Sequence, residues 1–125
     1  MVVDDDEEFT TLYQKYLMMS GYEVIAENQS SKAMEVANSI KPDLFILDLM
    51  MPEPDGFILC RMLRANMNFL RTPIIIISAL NDEDSKLVAL GAGANYYLIK
   101  PFRLGDLESL IQKIVREKKL GLYDE

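Results

Sequence analysis

Histidine and tryptophan are absent from this sequence of 125 residues, and cysteine occurs once. Without histidine the chain can carry neither a Ser-His-Asp nor a Cys-His nucleophile, and it cannot ligate a metal through imidazole. Carboxylates, hydroxyls, lysine and hard cations remain for chemistry. Cys60 has no partner for an internal disulfide, and its neighbours Phe57, Ile58, Leu59 and Met62 mark it as a small buried hydrophobe. Long apolar runs are missing as well: the longest clean one, Pro73 to Ile77, is far too short to cross a bilayer. The chain passes from Met1-Val2-Val3 straight into Asp4-Asp5-Asp6-Glu7-Glu8, the reverse of a signal peptide's basic start and apolar stretch. These features together predict a cytoplasmic protein. Positive charge is in short supply, with 13 Lys and Arg against 20 Asp and Glu and a formal net charge of −7. An acidic domain repels phosphate backbones, so nucleic-acid binding would require another domain.

What is present fits one domain with a sizeable core. Half of the residues are hydrophobic and about a quarter are charged. Apolar runs alternate with helix-period segments five times. The first run is short, Met1 to Val3. A helix is expected from about Glu7 to Ser20, with Phe9, Leu12, Tyr13, Tyr16 and Leu17 as its inner stripe and Gly21 as its stop. Tyr22 to Ala26 reads as a strand. Ser30 or Ser31 is positioned to cap a helix that turns Ala33, Val36, Ala37 and Ile40 inward. Leu44 to Leu47 reads as a buried strand running into Asp48. The turn-rich Met51-Pro52-Glu53-Pro54-Asp55-Gly56 precedes a helix near Phe57 to Asn66. Ile74 to Ile77 suits a central strand covered on both faces. Asn81 or Asp82 caps a fourth helix that ends at Gly91 or Gly93. Asn95 to Ile99 is the fifth strand, followed by a helix with Leu104, Leu107, Leu110, Ile111, Ile114 and Val115 inside. The polar, glycine-broken tail from Glu117 to Glu125 is expected to fray. The domain is therefore assigned to residues 1–118, with 119–125 as a tail or the start of a linker.

Five βα units in a row imply a parallel sheet with helices on both faces. In such sheets the site lies beyond the carboxyl ends of the strands. Polar, chemically capable residues stand at four of those ends: Asp4, Asp5 and Asp6; Asp48; Ser78; and Lys100. Carboxylates gathered there repel one another and raise each other's pKa unless a cation compensates. An all-oxygen donor set suits Mg²⁺, with Mn²⁺ as its substitute. Asp48 can act as a nucleophile toward phosphorus, Lys100 as counter-charge and Ser78 as a donor to a phosphate oxygen. A cis Lys100-Pro101 bond would aim the lysine into the site, a question the sequence leaves open. Taken singly, each residue has a plainer reading: a solvated helix start for the acidic run, a surface lysine, a strand-end cap for Ser78.

The motifs Val2-Val3-Asp4-Asp5-Asp6, Leu47-Asp48 through Asp55-Gly56, Pro73 through Ser78-Ala79 and Tyr97-Leu98-Ile99-Lys100-Pro101-Phe102 resemble the response-regulator receiver family of two-component signalling, the CheY-like superfamily. Thirty residues separate Asp48 from Ser78 and 22 separate Ser78 from Lys100, and both spacings agree with that resemblance. The resemblance implies a flavodoxin-like (βα)5 three-layer sandwich with strand order 2-1-3-4-5. It implies that Asp48 is the phosphoacceptor, that Asp5 and the backbone carbonyl of Met50 bind Mg²⁺ beside it, and that Asp4 does so mainly through water. Ser78 would bond the phosphoryl oxygen, Lys100 would pair with it, and Tyr97 would be an aromatic switch that responds to Ser78. The signal would be read on the face built from the fourth helix, fifth strand and fifth helix, by a second copy or an output domain. The donor imidazole would come from a histidine kinase or a phosphotransfer domain. The chain would be no enzyme beyond its own Mg²⁺-dependent self-phosphorylation and self-dephosphorylation, the latter slowed by Met50 and Leu80 shielding the acyl phosphate. A first strand this short departs from the family pattern.

Three other readings are weaker. A haloacid-dehalogenase-type phosphohydrolase needs a second Asp two residues after the nucleophile, where Met50 stands. A flavin carrier needs a phosphate loop after the first strand, where three aspartates would repel it. A pseudo-receiver that works only as a protein-interaction module is the alternative to phosphorylation, but every chemical residue is in place.

Overall fold

The isoleucine run is the spine of the sheet. In the computed structural model, which describes residues 1–123, it forms strand β4 (Ile74–Ser78), and all four isoleucines are fully buried. Alternate residues of a strand share a face. Ile74 and Ile76 join one core with Phe45, Leu47, Leu59, Leu63 and Phe69. Ile75 and Ile77 join a second with Tyr13, Leu17, Leu107, Ile111 and Ile114. Burying each such side chain contributes about 1.5–3 kcal/mol.

The other strands are β1 (Val2–Val3), β2 (Ala26–Glu27), β3 (Phe45–Asp48) and β5 (Tyr96–Ile99), all parallel, in the order β2-β1-β3-β4-β5. Helices α1 (Glu7–Met19) and α5 (Leu104–Lys119) supply the second core; α2 (Ala33–Ile40), α3 (Gly56–Ala65) and α4 (Glu83–Gly91) supply the first. This is the three-layer sandwich and strand order expected. The register sets Asp48 opposite Ile77 and Ser78 opposite Ile99. The last residues of β3 and β4, and Lys100 just after β5, therefore lie side by side.

Several local expectations are corrected. The second strand pairs only at Ala26 and Glu27, not over Tyr22 to Ala26, because β1 offers it only Val2 and Val3. Neither Ser30 nor Ser31 caps α2; a 3₁₀ turn over Ser30–Lys32 leads into the helix, and the Ser30 hydroxyl donates instead to Pro52 O at 2.8 Å. Helix α3 begins at Gly56, where a Cβ would sit 2.5 Å from the Asp48 carbonyl oxygen, so only glycine lets the helix start against the end of β3. Of the two caps considered for α4, Asp82 fills the role, accepting from Ser85 N at 2.9 Å. On α1, Tyr13 and Leu17 are buried, whereas Phe9 and Leu12 are exposed at the edge of the stripe, as are Ile40 on α2 and Val115 on α5. The tail does not fray from Glu117. Helix α5 continues to Lys119, and the Glu117 carboxylate accepts from the hydroxyls of Tyr96 and Tyr123, each at 2.8 Å. Asp124 and Glu125, the end of that tail, lie outside the described residues.

Arg64, at the end of α3, ties the far side of the sheet together. It donates to Gly93 O at 2.9 Å, Phe69 O at 2.8 Å, Thr72 O at 2.6 Å and Asn95 Oδ1 at 2.9 Å. Gly93 has φ of +110°, and a Cβ there would lie 2.5 Å from the Arg64 side chain. Replacing Arg64 by methionine keeps the aliphatic stem and strips these acceptors of their donor. The expected cost is about 3 kcal/mol in urea unfolding, since hydrogen bonds from charged donors contribute about 1.5–3 kcal/mol each and are partly replaced by water. A loss below 1 kcal/mol would show that the network is dispensable.

Candidate functional site

Backbone geometry at the carboxyl ends of β1 and β3 brings the predicted residues together. Asp4 follows β1 directly and is fully buried. Its Oδ1 accepts from Asp6 N at 3.0 Å, and its backbone oxygen accepts from Asn28 Nδ2 at 2.9 Å. Asp6 in turn caps α1, accepting from Glu8 N at 2.9 Å and Phe9 N at 3.4 Å. The acidic run thus turns a buried carboxylate into a helix start within three residues. Asp5 is exposed between them.

Asp4, Asp5 and Asp48 each offer a carboxylate oxygen within 4.8 Å of the others. One cation faces this cluster: Lys100 Nζ lies 3.5 Å from Asp4 Oδ2 and 3.5 Å from Asp48 Oδ1. Its backbone N donates to Ser78 O at 2.8 Å, and the Lys100-Pro101 peptide bond is cis, as is Glu53-Pro54. Burial pushes the Asp48 carboxyl up to about 6; the neighbouring Asp4 charge adds to this, while Lys100 opposes it. A proton shared between the Asp48 and Asp4 carboxyls also raises it, and a bond from the Met50 backbone N–H lowers it. Three carboxylates against one ammonium leave the site short of positive charge. A hard divalent cation fits this all-oxygen set and would relieve the crowding.

The remaining predicted residues surround this cluster. Ser78 is fully buried, and its Oγ accepts from Leu80 N at 3.0 Å, which leaves its own proton free to donate. Tyr97 is half-buried, and its hydroxyl donates to Leu80 O at 2.7 Å. Met50 is 61 % exposed and Leu80 is 38 % exposed, both near the cluster in sequence. Two residues escaped the sequence reading. Asn28 bonds both Asp4 O and Thr10 Oγ1, at 2.9 and 2.8 Å, so it ties β2 to α1 behind the acidic turn. Phe9 was placed in the inner stripe of α1, yet the Lys100 ammonium lies over its ring, 4.6 Å from the centroid. Its position directly after the acidic run, three residues past the Asp6 cap, was the available signal. A groove of about 520 Å³ lies at the opposite, amino-terminal end of the strands, lined by Met1, Val24, Leu44, Ile111 and Ile114, and contains none of the clustered residues.

Residues 1–112 match the family of the response regulator receiver domain. The chain belongs to that family. Over 121 residues it is 37 % identical to the alkaline phosphatase synthesis transcriptional regulatory protein PhoP of Bacillus subtilis, covering 97 % of this chain and 50 % of that protein. It is 36 % identical over 120 residues to the response regulator MprA of Mycobacterium ulcerans, covering 96 % of this chain and 51 % of that one. The chain thus spans about half the length of the curated relatives it matches. The BeF3-activated N-terminal receiver domain of Klebsiella pneumoniae RstA superimposes with a TM-score of 0.82 at 33 % identity, covering 89 % of this chain and 92 % of the other. This chain is a receiver domain of the two-component response-regulator type. None of its helices among the described residues is long and apolar enough to cross a membrane.

The raised Asp48 carboxyl has a consequence for the metal-free receiver. Its folded pKa, about 6, exceeds the ordinary 3.8, so the native state holds the proton where the unfolded chain has released it. Stability is therefore greatest below about pH 4 as far as this group is concerned, and it falls as pH rises through about 6. Asp48→Asn should remove that slope and raise stability at pH 7 above that of the wild type, by on the order of 1 kcal/mol or more. Urea titrations of both proteins in chelator between pH 4 and 7 check this; equal stability at pH 7 would contradict it.

Proposed function

We propose that Asp48 accepts a phosphoryl group from the phosphohistidine of a histidine kinase or phosphotransfer domain, and that the domain signals through the face built from α4, β5 and α5. The observation that carries this reading is the clustering of Asp4, Asp5 and Asp48 around one lysine at the carboxyl ends of the strands. Asp5, Asp48 and the backbone carbonyl of Met50 would hold Mg²⁺ directly and Asp4 through water, with Mn²⁺ as a substitute. When bound, the ion neutralises the carboxylates and takes up charge on the phosphoryl oxygens.

The chain's own groups do the rest. An Asp48 oxygen forms the new bond to phosphorus as the donor's N–P bond breaks, and the departing imidazole takes a proton from solvent. Lys100 is close enough to exchange its pairing with Asp48 for one with a phosphoryl oxygen. Ser78 donates its free hydroxyl proton to another oxygen. Moving Ser78 toward the phosphoryl group loosens the bond it accepts from Leu80 N, and Leu80 O is the acceptor of the Tyr97 hydroxyl. The disturbance thus reaches β5 through two hydrogen bonds, and Tyr97 turns inward. The responding face already exposes Leu87, Val88 and Leu90 on α4, an apolar surface suited to a second copy or an output domain. The same reading places the domain in the cytoplasm, beside its phosphoryl donors, and makes its only turnover its own Mg²⁺-dependent phosphorylation and dephosphorylation.

Intact mass after incubation with acetyl phosphate and Mg²⁺ tests the reading. One phosphoryl group should add to the wild type, and none to Asp48→Ala or to the wild type in chelator. No addition, also with a histidine kinase as donor, would favour the phosphorylation-independent interaction module. The flanking side chains carry a second expectation. Changing Met50 and Leu80 to asparagine should admit water and shorten the phosphoryl lifetime several-fold, measured as decay of the phosphorylated mass. A wild-type lifetime of seconds, unaltered by these changes, would exclude shielding.

A further inference from the structure

Lys100 is bound loosely by its carboxylates. Both distances, 3.5 Å, exceed the roughly 2.7–2.9 Å of a tight charge-assisted hydrogen bond. Carboxylates alone would leave a flexible four-carbon stem free to swing toward solvent or toward Asp5. A third contact closes the site: the face of the Phe9 ring, 4.6 Å from Nζ. An ammonium within about 6 Å of a ring centroid is attracted by the negative face of the π-system.

The ring is itself held in place. Phe9 stacks on Tyr13 with centroids 6.0 Å apart and planes 12° apart, and Tyr13 stacks on Phe102 at 5.9 Å and 24°. Phe102 lies two residues beyond Lys100, so the aromatic ladder starts on α1 and returns to the segment that carries the lysine. At its base, Asp6 accepts from Phe9 N and fixes the first turn of α1. Phe9 is 39 % exposed, and burial in the core does not account for its placement.

We infer that Phe9 is a positioning residue for Lys100, its ring holding the ammonium between Asp4 and Asp48. The effect on phosphorylation rests on the proposed roles of Asp48 and Lys100; the placement of the ammonium does not. Leucine at this position keeps apolar bulk and removes the π-face, while tyrosine keeps it.

The test compares wild type, Phe9→Leu and Phe9→Tyr. In NMR spectra the Lys100 ε-methylene protons should be shifted upfield by the ring in wild type and Phe9→Tyr, and should return toward the free-lysine position in Phe9→Leu. With acetyl phosphate at saturating Mg²⁺, Phe9→Leu should be phosphorylated about two- to fivefold more slowly, the factor equivalent to about 0.5–1 kcal/mol for an exposed cation–π contact. Phe9→Tyr should stay within twofold of wild type. Using a small donor keeps kinase docking out of the comparison. Unchanged ε-methylene shifts in Phe9→Leu would overturn the inference, as would equal slowing by leucine and tyrosine. If the wild type took up no phosphoryl group, the proposed function would fall, and the shifts would still decide whether the ring holds the ammonium.

Discussion

Lys100 stands between two aspartates at the end of a buried sheet, and most of the structure serves to keep that imbalance in place. Two carboxylates brought within reach of one ammonium, with a third close by, would separate if their backbones could move. They cannot, because the isoleucine strand β4 locks β3 on one side and β5 on the other. Asp48 and Lys100 are thus fixed by cores on both faces of the sheet. Gly56 keeps the loop after β3 tight, since any side chain there would collide with the Asp48 carbonyl. Burial and the Asp4 charge push the Asp48 carboxyl up to about 6, with Lys100 opposing them.

Two hydrogen bonds connect this site to β5. Ser78 Oγ accepts from Leu80 N, and Leu80 O accepts from Tyr97. Both bonds fall on one residue at the start of the loop into α4, so Ser78 and β5 are linked through Leu80 and not only through the core. Arg64 restrains the other end of the same segment by holding Gly93 O and Asn95 beyond α4. Arg64 thereby tethers the segment after α4, while the loop before it carries the two Leu80 bonds.

The sequence displayed the site better than it displayed the scaffold. Asp48, Ser78 and Lys100 were legible because each ends an apolar run, and strand ends in a parallel sheet converge whatever the loops do. The isoleucine run declared its central place by lacking alternation. What stayed hidden depends on neighbours far along the chain. Tyr22 to Ile25 has strand-forming residues, but pairing needs a partner, and β1 supplies only Val2 and Val3. Ser30 has the chemistry of a cap, but Pro52 O offers its hydroxyl another acceptor. Glu117 looks like the start of a frayed tail until Tyr96, on β5, and Tyr123 are seen to share its carboxylate. Helical periodicity put Phe9 in the stripe with Tyr13, four residues on, and could not foresee an ammonium arriving from β5.

The acidic run shows how few residues can meet several demands at once. Five consecutive acids ought to repel one another into a solvated loop. Here each has a different outlet. Asp4 is buried against Lys100 and the Asp6 amide; Asp5 remains exposed beside Asp4 and Asp48; Asp6 satisfies two amides at the start of α1; Glu7 and Glu8 lie in the first helical turn. Negative charge is favoured at that end of a helix, where the unpaired amides carry partial positive charge. The helix therefore offsets part of the repulsion that the site creates, and in starting there it presents Phe9 to Lys100 one turn later. Acidic cluster, cap and aromatic contact are linked through backbone, so a change at Asp6 would be felt at Lys100 although the two side chains do not pair.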